Sequence, residues 1–164
     1  MRRGRTVLAM DCVLAGAQYQ HGRPLNSIVS TQRRSTVPIT TIEVRRPYTQ
    51  AQEVRIIDAV HAALVEGLKI PDRTITIRFI AHEPHRFTAD ARRDERFILI
   101  TIDLFSGRSI EAKQRLYAAM VRNLAEFDIP SDHVKVLLRE APRENWGIGG
   151  VPASAISLGY EIEV

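Results

Sequence analysis

The part of the chain that follows Pro38 contains two copies of one pattern, and this internal repeat constrains the fold more than any other feature of the sequence. Thr41-Ile42-Glu43-Val44 aligns with Thr101-Ile102-Asp103-Leu104 at an offset of about 60 residues. One deletion later, Ile70-Pro71-Asp72 aligns with Ile129-Pro130-Ser131. Each copy has the order strand, helix, strand, so the fold is built from two similar units.

Each copy predicts one βαβ unit. Its first strand alternates apolar and polar residues, as half-buried strands do. Thr49 and Ser109 can cap the two helices, Gln52 completes a capping box after Thr49, and Pro71 and Pro130 mark the turns that follow. Strands joined through a helix normally form a right-handed parallel crossover. We therefore expect an α/β fold of the α+β two-layer kind, in which two tandem βαβ units form a four-stranded sheet with two helices on one face.

The apolar residues of each helical segment recur at helical spacing and predict the face that packs on the sheet. In the first copy this face comprises Val54, Ile57, Val60, Leu64 and Leu68. In the second copy it comprises Leu116, Met120, Val121 and Leu124. Residues 158–164 alternate in polarity and predict a short strand, to which no chemistry is assigned.

The charge distribution divides the chain into a basic leader, residues 1–37, and a domain, residues 38–164. The leader holds six of the 23 basic and one of the 19 acidic residues, so it carries +5 and the domain carries −1. Within the domain we expect repeat 1 at 38–81, a connector at 82–97 and repeat 2 at 98–157. A near-neutral domain argues against a nucleic-acid partner. No run approaches the ~20 apolar residues of a membrane span, so we expect no membrane partner and a cytoplasmic protein.

The leader has three interpretations that the sequence leaves open. It resembles an organelle transit peptide, since it is rich in arginine and poor in acids. It can instead be a disordered tail, or sequence upstream of a true start at Val37. Cys12 is the only cysteine of the chain and lies in the leader, so the domain can form neither a disulfide nor a cysteine metal site.

The connector is polar and charged, and we expect it to be solvated. His82 and His85 lack a third ligand close in sequence, so they do not predict a metal site. The arginines of the connector alternate with acids and have no accompanying set of aromatic residues on which bases could stack. We therefore expect neither a metal nor a cofactor.

Three motifs of the domain together resemble the 4-oxalocrotonate tautomerase superfamily. They are Ser106-Gly107-Arg108-Ser109 at the second helix start, Pro142-Arg143-Glu144-Asn145-Trp146, and Trp146-Gly147-Ile148-Gly149-Gly150. With Asp58-Ala59-Val60-His61-Ala62, they are similar to fused two-repeat members such as the malonate semialdehyde decarboxylase-like tautomerases. The resemblance covers residues 38–157 and implies a homotrimeric, cofactor-independent tautomerase. Such an enzyme transfers a proton between the keto and enol forms of a small 2-oxo or dienol carboxylic acid.

The resemblance also implies that Pro38 is the catalytic base and acid, a role that requires a free N-terminal amine. A proline preceded by a peptide bond has an amide nitrogen, which is not basic. The pKa of a free α-amino group is about 7.7–8.0, and burial near an arginine would lower it toward neutrality. Pro38 aligns with Ile98, so each chain would supply one such amine. The role therefore exists only if residues 1–37 are absent from the mature chain.

Further site residues follow from the same resemblance. Arg108 would be catalytic by holding a substrate carboxylate or developing enolate, while Trp146 and Lys135 would bind the substrate. The first copy has Tyr48 in place of the helix-start arginine, and Arg78 is near enough to contribute to substrate binding there. The residue types by themselves are also compatible with purely structural roles. Arg108 can be a solvated arginine in a first helical turn, Trp146 a core or interface anchor, and Lys135 an exposed strand lysine.

Two departures from the decarboxylase-like pattern favour tautomerisation over decarboxylation, hydration and dehalogenation. Ser106 stands where those members have the first of two helix-start arginines, and Thr74 stands near the position of the carboxylate that assists the proline. The alternative interpretation is a non-catalytic tautomerase-fold oligomer with a binding or structural role, in which Pro38 remains blocked by the leader.

Overall fold

The computed structural model describes residues 37–72 and 75–162. The interpretations of the leader before Val37, and the role of position Thr74, therefore fall outside the described residues. The strands are β1 (Ile39–Val44), β2 (Thr76–Ala81), β3 (Ile98–Phe105), β4 (Val134–Ala141), β5 (Gly147–Ile148) and β6 (Val151–Pro152). The two α-helices are α1 (Gln50–Leu68) and α2 (Ile110–Leu124), and short 3₁₀ turns join several of these elements.

The four long strands form one mixed sheet in the order β2-β1-β3-β4. β1 pairs parallel with β2, and β3 pairs parallel with β4, as expected for two βαβ units. The units meet through an antiparallel β1–β3 pair, in which Ile42 lies opposite Ile100. The predicted two-layer fold with two tandem βαβ units is confirmed.

Both helices begin at the caps that the sequence predicts. The Thr49 hydroxyl accepts a hydrogen bond from the Gln52 N–H, and the Gln52 side chain accepts one from the Thr49 N–H at 2.9 Å, which completes the capping box. Ser109 caps α2 by accepting from the Ala112 N–H at 3.1 Å. These bonds satisfy donors that a helix start otherwise leaves unpaired.

The main core lies between the helices and one face of the sheet. Leu64 and Leu68 of α1 and Leu116, Met120 and Leu124 of α2 are fully buried. The prediction for Val54 is wrong, because this side chain is 50% exposed. The buried stripe of α1 instead runs through Ile56, Ala59, Val60, Ala63, Leu64, Gly67 and Leu68.

A glycine brings the two helices into close contact. A Cβ atom at Gly67 would lie only 2.6 Å from the Cα atom of Leu116, so the last turn of α1 can approach α2 only without a side chain there. Lys69 then ends α1 in the left-handed region at φ 53°. This approach positions the C-terminal carbonyl groups of α1 beside the start of α2.

The strand predicted at the C-terminus is wrong for its described part, since residues 158–162 form bends and irregular structure. No helix within residues 37–72 and 75–162 has the length and apolar character needed to cross a membrane.

Candidate active site

The start of β1 places Pro38 at one end of the sheet, which we call the proline end. There β1 and β2 begin and β3 and β4 end; the opposite end is called the connector end. Pro38 is buried, and its carbonyl oxygen accepts a hydrogen bond from the Thr76 N–H at 3.3 Å. In the full chain its ring nitrogen belongs to the peptide bond with Val37, so that nitrogen is an amide.

Val37 lies in a small apolar cluster that is separate from the main core. Its side chain is 2% exposed and packs with Phe105 and Ala153, which are also buried. The Phe105 and Trp146 rings meet edge to face, with centroids 5.4 Å apart. This valine cluster comprises Val37, Phe105, Trp146, Ile148, Ala153, Leu158 and Ile162. The group attached to the Pro38 nitrogen is therefore enclosed by apolar side chains.

Residues 142–162, which we call the closing segment, supply most of this cluster. The turn between β5 and β6 needs positive φ at Gly149 (58°) and Gly150 (85°), a conformation that favours glycine. The Ala153 N–H then donates to the Trp146 carbonyl oxygen at 2.8 Å. Arg143 donates to the carbonyl oxygens of Ala153 and Ile156. The hairpin and this arginine hold the parts of the closing segment together.

Tyr160 links the closing segment to the residue before the proline. Its hydroxyl donates to the Val37 carbonyl oxygen at 3.4 Å, and the side chain is half-buried. Beside it, Arg143 and residues 156–162 line an open groove of about 590 Å³. The Tyr160 hydroxyl therefore faces the oxygen of the carbonyl group that is bonded to the Pro38 nitrogen.

Arg108 lies at the same end of the sheet and is buried, with 7% of its surface exposed. Gly107 precedes it at φ 114°, where a side chain would be strained. The Arg108 Nη1 donates to the Leu68 carbonyl oxygen at 2.9 Å, at the end of α1. Burial lowers the pKa of Arg108, and nearby Tyr160 and Glu140 oppose this shift. The guanidinium nevertheless remains a cation at neutral pH, because an arginine side chain is not deprotonated in proteins.

This geometry can be compared with known proteins. A family model described as "Tautomerase enzyme" matches residues 72–149. A probable tautomerase of Ralstonia nicotianae is 38% identical over 58 residues, which are 35% of this chain and 83% of that relative. The 2-hydroxymuconate tautomerase of Comamonas testosteroni is 39% identical over 56 residues, covering 34% of this chain and 89% of that relative. The chain belongs to the tautomerase superfamily. It is thus related to enzymes of the isomerase kind.

Solved structures match more of the chain than these short relatives do. A malonate semialdehyde decarboxylase inhibited by 3-bromopropiolate is 32% identical, with a TM-score of 0.64, and the match covers 71% of this chain and 92% of that one. A fused 4-OT described as an asymmetric trimer has a TM-score of 0.66 at 19% identity, covering 74% of this chain and 99% of that one. The second match shows the fold alone.

Three of the five site residues predicted from the sequence lie at the proline end, namely Pro38, Arg108 and Trp146. Arg78 is exposed on β2, and its guanidinium donates to the Thr41 hydroxyl at 2.9 Å. Lys135 is exposed and lies opposite Leu99 near the start of β4, which is the connector end. Within one chain, Lys135 is therefore not brought together with Pro38.

Lys135 instead lines a separate cavity of about 650 Å³ at the connector end. The connector residues Phe87 and Phe97 form part of its apolar wall, with ring centroids 5.8 Å apart. The connector is thus packed against the domain at these aromatic residues, although most of it is exposed as expected. His82 Nε2 lies 3.0 Å from Glu43 Oε1, so this histidine is hydrogen-bonded to a carboxylate.

Tyr160 and Phe105 lie at the candidate site but are not among the residues predicted from the sequence, and Val37 is predicted there only as a boundary. Phe105 adjoins the Ser106-Gly107-Arg108 motif, so its position next to the site was the signal available for it. Tyr160 lies 123 positions from Val37 in the chain, and no local pattern indicates this contact.

Proposed function

We propose that the domain is a cofactor-independent tautomerase that interconverts the keto and enol forms of a small 2-oxo or dienol carboxylic acid. Pro38 would be the general base and acid, which requires a mature chain that begins at this residue. The observation that carries the proposal is the burial of Pro38 at the proline end, with the apolar valine cluster on one side and the Arg108 end of α2 nearby.

The surroundings of Pro38 suit an amine that must be neutral before it reacts. Apolar walls such as Phe105 and Trp146 disfavour an ammonium ion, and a nearby cation has the same effect. Both influences lower the pKa of a free Pro38 amine toward the pH at which a base is most effective. The amine takes a proton from the carbon next to the substrate carbonyl, which leaves an enolate. The resulting ammonium then protonates the enolate oxygen to give the enol, and the same steps in reverse give the keto form.

Arg108 is proposed to hold the substrate carboxylate or the oxygen that becomes negative in the enolate. One of its five N–H donors is committed to Leu68, and its Nε has no hydrogen-bond partner among the described residues. A buried guanidinium interacts strongly with an anion because little water screens the charge. A substrate-binding role for Lys135 depends on contact with another chain, since its own chain holds it at the connector end.

A homotrimer would supply such contacts, and we propose this assembly and a cytoplasmic location. The helices cover only one face of the sheet, and the other face carries Ile80 and Leu137, which are 39% and 50% exposed. Exposed apolar side chains on an uncovered sheet favour association. Light scattering should give three times the chain mass, and a monomer would contradict the assembly.

The function is tested with protein that begins at Pro38, its Pro38→Ala variant, and the full chain. Phenylpyruvate and 2-hydroxymuconate are the substrates. Because general acid–base catalysis contributes about 10²–10⁴-fold, we expect Pro38→Ala to lower kcat at least about 100-fold. The full chain should be similarly inactive. Equal rates for the parent and Pro38→Ala would exclude the proline amine as the base.

The burial of Val37 favours one alternative, a non-catalytic oligomer in which the leader stays attached. A residue that is 2% exposed contributes to packing, and its removal costs part of that stability. Intact mass and N-terminal sequencing of protein expressed from the native gene distinguish the two. A leader retained on catalytically active protein would contradict the proline mechanism.

A further inference from the structure

Val37, the residue bonded to the Pro38 nitrogen, is enclosed by its surroundings in the way that a ligand is enclosed by a binding site. Val37 places a carbonyl oxygen next to that nitrogen, and the Tyr160 hydroxyl donates to this oxygen at 3.4 Å. One carbon further on, Val37 carries a branched apolar side chain that is 2% exposed within the valine cluster. A carbonyl group followed by a branched apolar group is thus recognised beside the catalytic atom.

The proposed function requires that Val37 be absent, and its removal would leave this place vacant. The side chains that surround the vacancy are apolar, including Phe105, Ala153 and Trp146. Arg143, the nearest cation of the closing segment, already donates to the carbonyl oxygens of Ala153 and Ile156. A vacancy lined mainly by apolar side chains favours an apolar occupant and disfavours a carboxylate, which would lose much of its hydration there.

We propose that this vacancy is the substrate side-chain pocket, that it selects 2-oxo monocarboxylic acids with a branched apolar side chain, and that Tyr160 is a catalytic residue that donates to the 2-oxo oxygen. The inference rests on the proposed function, since it takes Pro38 as the mature N-terminus. The substrate's isopropyl group replaces that of Val37, and its 2-oxo oxygen replaces the Val37 carbonyl oxygen. The groove beside Tyr160 gives the remainder of the molecule access to solvent.

The proton transfer balances without any further reactant. The neutral Pro38 amine removes a proton from C3 of the 2-oxo acid, and the electron pair of the broken C–H bond forms the C2–C3 double bond. The C2–O π electrons move to the oxygen, where the Tyr160 hydroxyl stabilises the charge. The ammonium then returns a proton to C3 or to the oxygen. In D₂O the ammonium exchanges with solvent, so C3 acquires deuterium.

The reaction is measured with protein that begins at Pro38, as the loss of the C3 proton signal in proton NMR when deuterium is incorporated at C3. The probes are 4-methyl-2-oxopentanoate, which has the isopropyl group, and 2-oxoglutarate, which has a second carboxylate in that region. We expect kcat/KM for the branched acid to exceed that for 2-oxoglutarate at least about tenfold. Comparable values for the two acids would overturn the proposed selectivity while leaving the tautomerase function intact.

Tyr160→Phe tests the donor, with Tyr117→Phe on the exposed surface of α2 as the matched control. Loss of one donor to a developing oxyanion lowers kcat about 10²–10³-fold in a well-aligned site, and the long 3.4 Å bond leads us to expect a decrease of at least about tenfold. Tyr117→Phe should equal the parent. A Tyr160→Phe enzyme as active as the Tyr117→Phe enzyme would remove Tyr160 from the site, again without affecting the role of Pro38.

Binding is measured separately, so that the pocket can be judged even if no exchange occurs with any acid and the proposed function fails. Trp146 is the only tryptophan of the chain and belongs to the valine cluster, so its fluorescence reports on the pocket. Protein that begins at Pro38 should show a saturable change with 4-methyl-2-oxopentanoate that is absent with 2-oxoglutarate and in the full chain. Identical responses to both acids, or none to either, would overturn the proposal.

Discussion

The two ends of the sheet are pseudo-equivalent, yet the candidate site lies at only one of them. Because β1 and β3 run antiparallel, each end combines the first strand of one copy with the helix start of the other. The proline end has Pro38 at its strand start and Arg108 at its helix start. The connector end has Ile98 and Tyr48 at the corresponding positions of the repeat, 60 residues away in the sequence. One architecture therefore presents two similar environments, and the differences between them indicate what belongs to function rather than to the fold.

An arginine near each helix start makes the same kind of cross-link. Arg108 donates to the Leu68 carbonyl oxygen at 2.9 Å, and Arg46 donates to the Phe127 carbonyl oxygen at 3.4 Å, so each reaches the end of the other copy's helix. Arg46 is half-buried, and its guanidinium lies 4.8 Å from the centre of the Tyr48 ring. Because both ends share the cross-link, it belongs to the fold. The burial of Arg108 beside Tyr160 is specific to the proline end.

The two ends also differ in how their loops are held. At the connector end, carboxylates pair with arginines, as in Asp94 with Arg96 and Asp132 with Arg93, in addition to the bonds that Arg45 donates to backbone carbonyl oxygens. At the proline end, arginines donate to backbone carbonyl oxygens, and Arg143 does this twice. A backbone carbonyl does not titrate in the range where proteins fold, whereas a carboxylate does. The two ends should therefore respond differently to acid.

The largest effect on stability is expected for Gly67→Ala, at the proline end of the helix pair. The added Cβ would lie 2.6 Å from the Leu116 Cα, and backbone cannot move aside as a flexible side chain can. Overpacking of about 3 kcal/mol exceeds the gain of about 1 kcal/mol in helix propensity, so the free energy of unfolding should fall by about 2 kcal/mol. Urea denaturation measures this change.

Glu126→Ala is the control, because Glu126 aligns with Gly67 when Ile70-Pro71 is matched to Ile129-Pro130. Glu126 pairs with Arg55, and both side chains are more than half exposed. Its removal should change the free energy of unfolding by no more than about 0.5 kcal/mol. If both variants lose the same stability, the close helix contact is not specific to the proline end.

Arg108→Ala should reduce stability less than Gly67→Ala does, but it should also reduce activity. The variant loses the cation near Pro38, so kcat/KM for a 2-oxo acid should fall at least about tenfold, which is about 1.4 kcal/mol of transition-state binding. Arg46→Ala removes the equivalent cross-link at the connector end and should leave kcat/KM within about twofold of the parent. Equal losses in the two variants would assign the effect to the shared cross-link rather than to the site.

The sequence predicted the fold well because the fold depends on features that recur locally. The repeat, the caps at Thr49 and Ser109 and the strand alternation each concern neighbouring residues, and together they specify both βαβ units. Val54 was misassigned because large apolar residues were taken to mark the buried face. The actual stripe is rotated toward Ala59, Ala63 and Gly67, where α2 approaches most closely.

The candidate site was less predictable than the fold, since its members meet only through tertiary contacts. Arg108 and Trp146 belong to recognisable motifs, and the structure places both at the proline end with Pro38. Tyr160 lies in an irregular segment with no periodicity, so its bond to Val37 could not be read from the sequence. The role of Lys135 follows from the family resemblance alone, and strand direction places this residue at the other end of the sheet.

The smallest effect is expected from acid, which should loosen the connector end before the proline end. The Arg96 side chain donates to the Asp94 carboxylate and holds the pKa of that carboxyl below its ordinary value of 3.8. Hydrogen bonds from His133 and Arg93 likewise lower the pKa of Asp132. A group whose pKa is lowered in the folded state stabilises the protein above its unfolded pKa. This contribution is lost as the pH falls below about 4.

Amide hydrogen exchange at pH 6 and pH 3, corrected for intrinsic rates, tests this order. Peptides covering 90–97 should gain more exchange at pH 3 than peptides covering 142–157, because only the former depend on carboxylates. Asp94→Asn keeps a hydrogen-bond acceptor but removes the titration, so its connector should respond less to acid than that of the parent. Simultaneous opening of both ends at pH 3 would mean that acid acts on the shared sheet. The distinction between carboxylate-held and carbonyl-held loops would then not govern local stability.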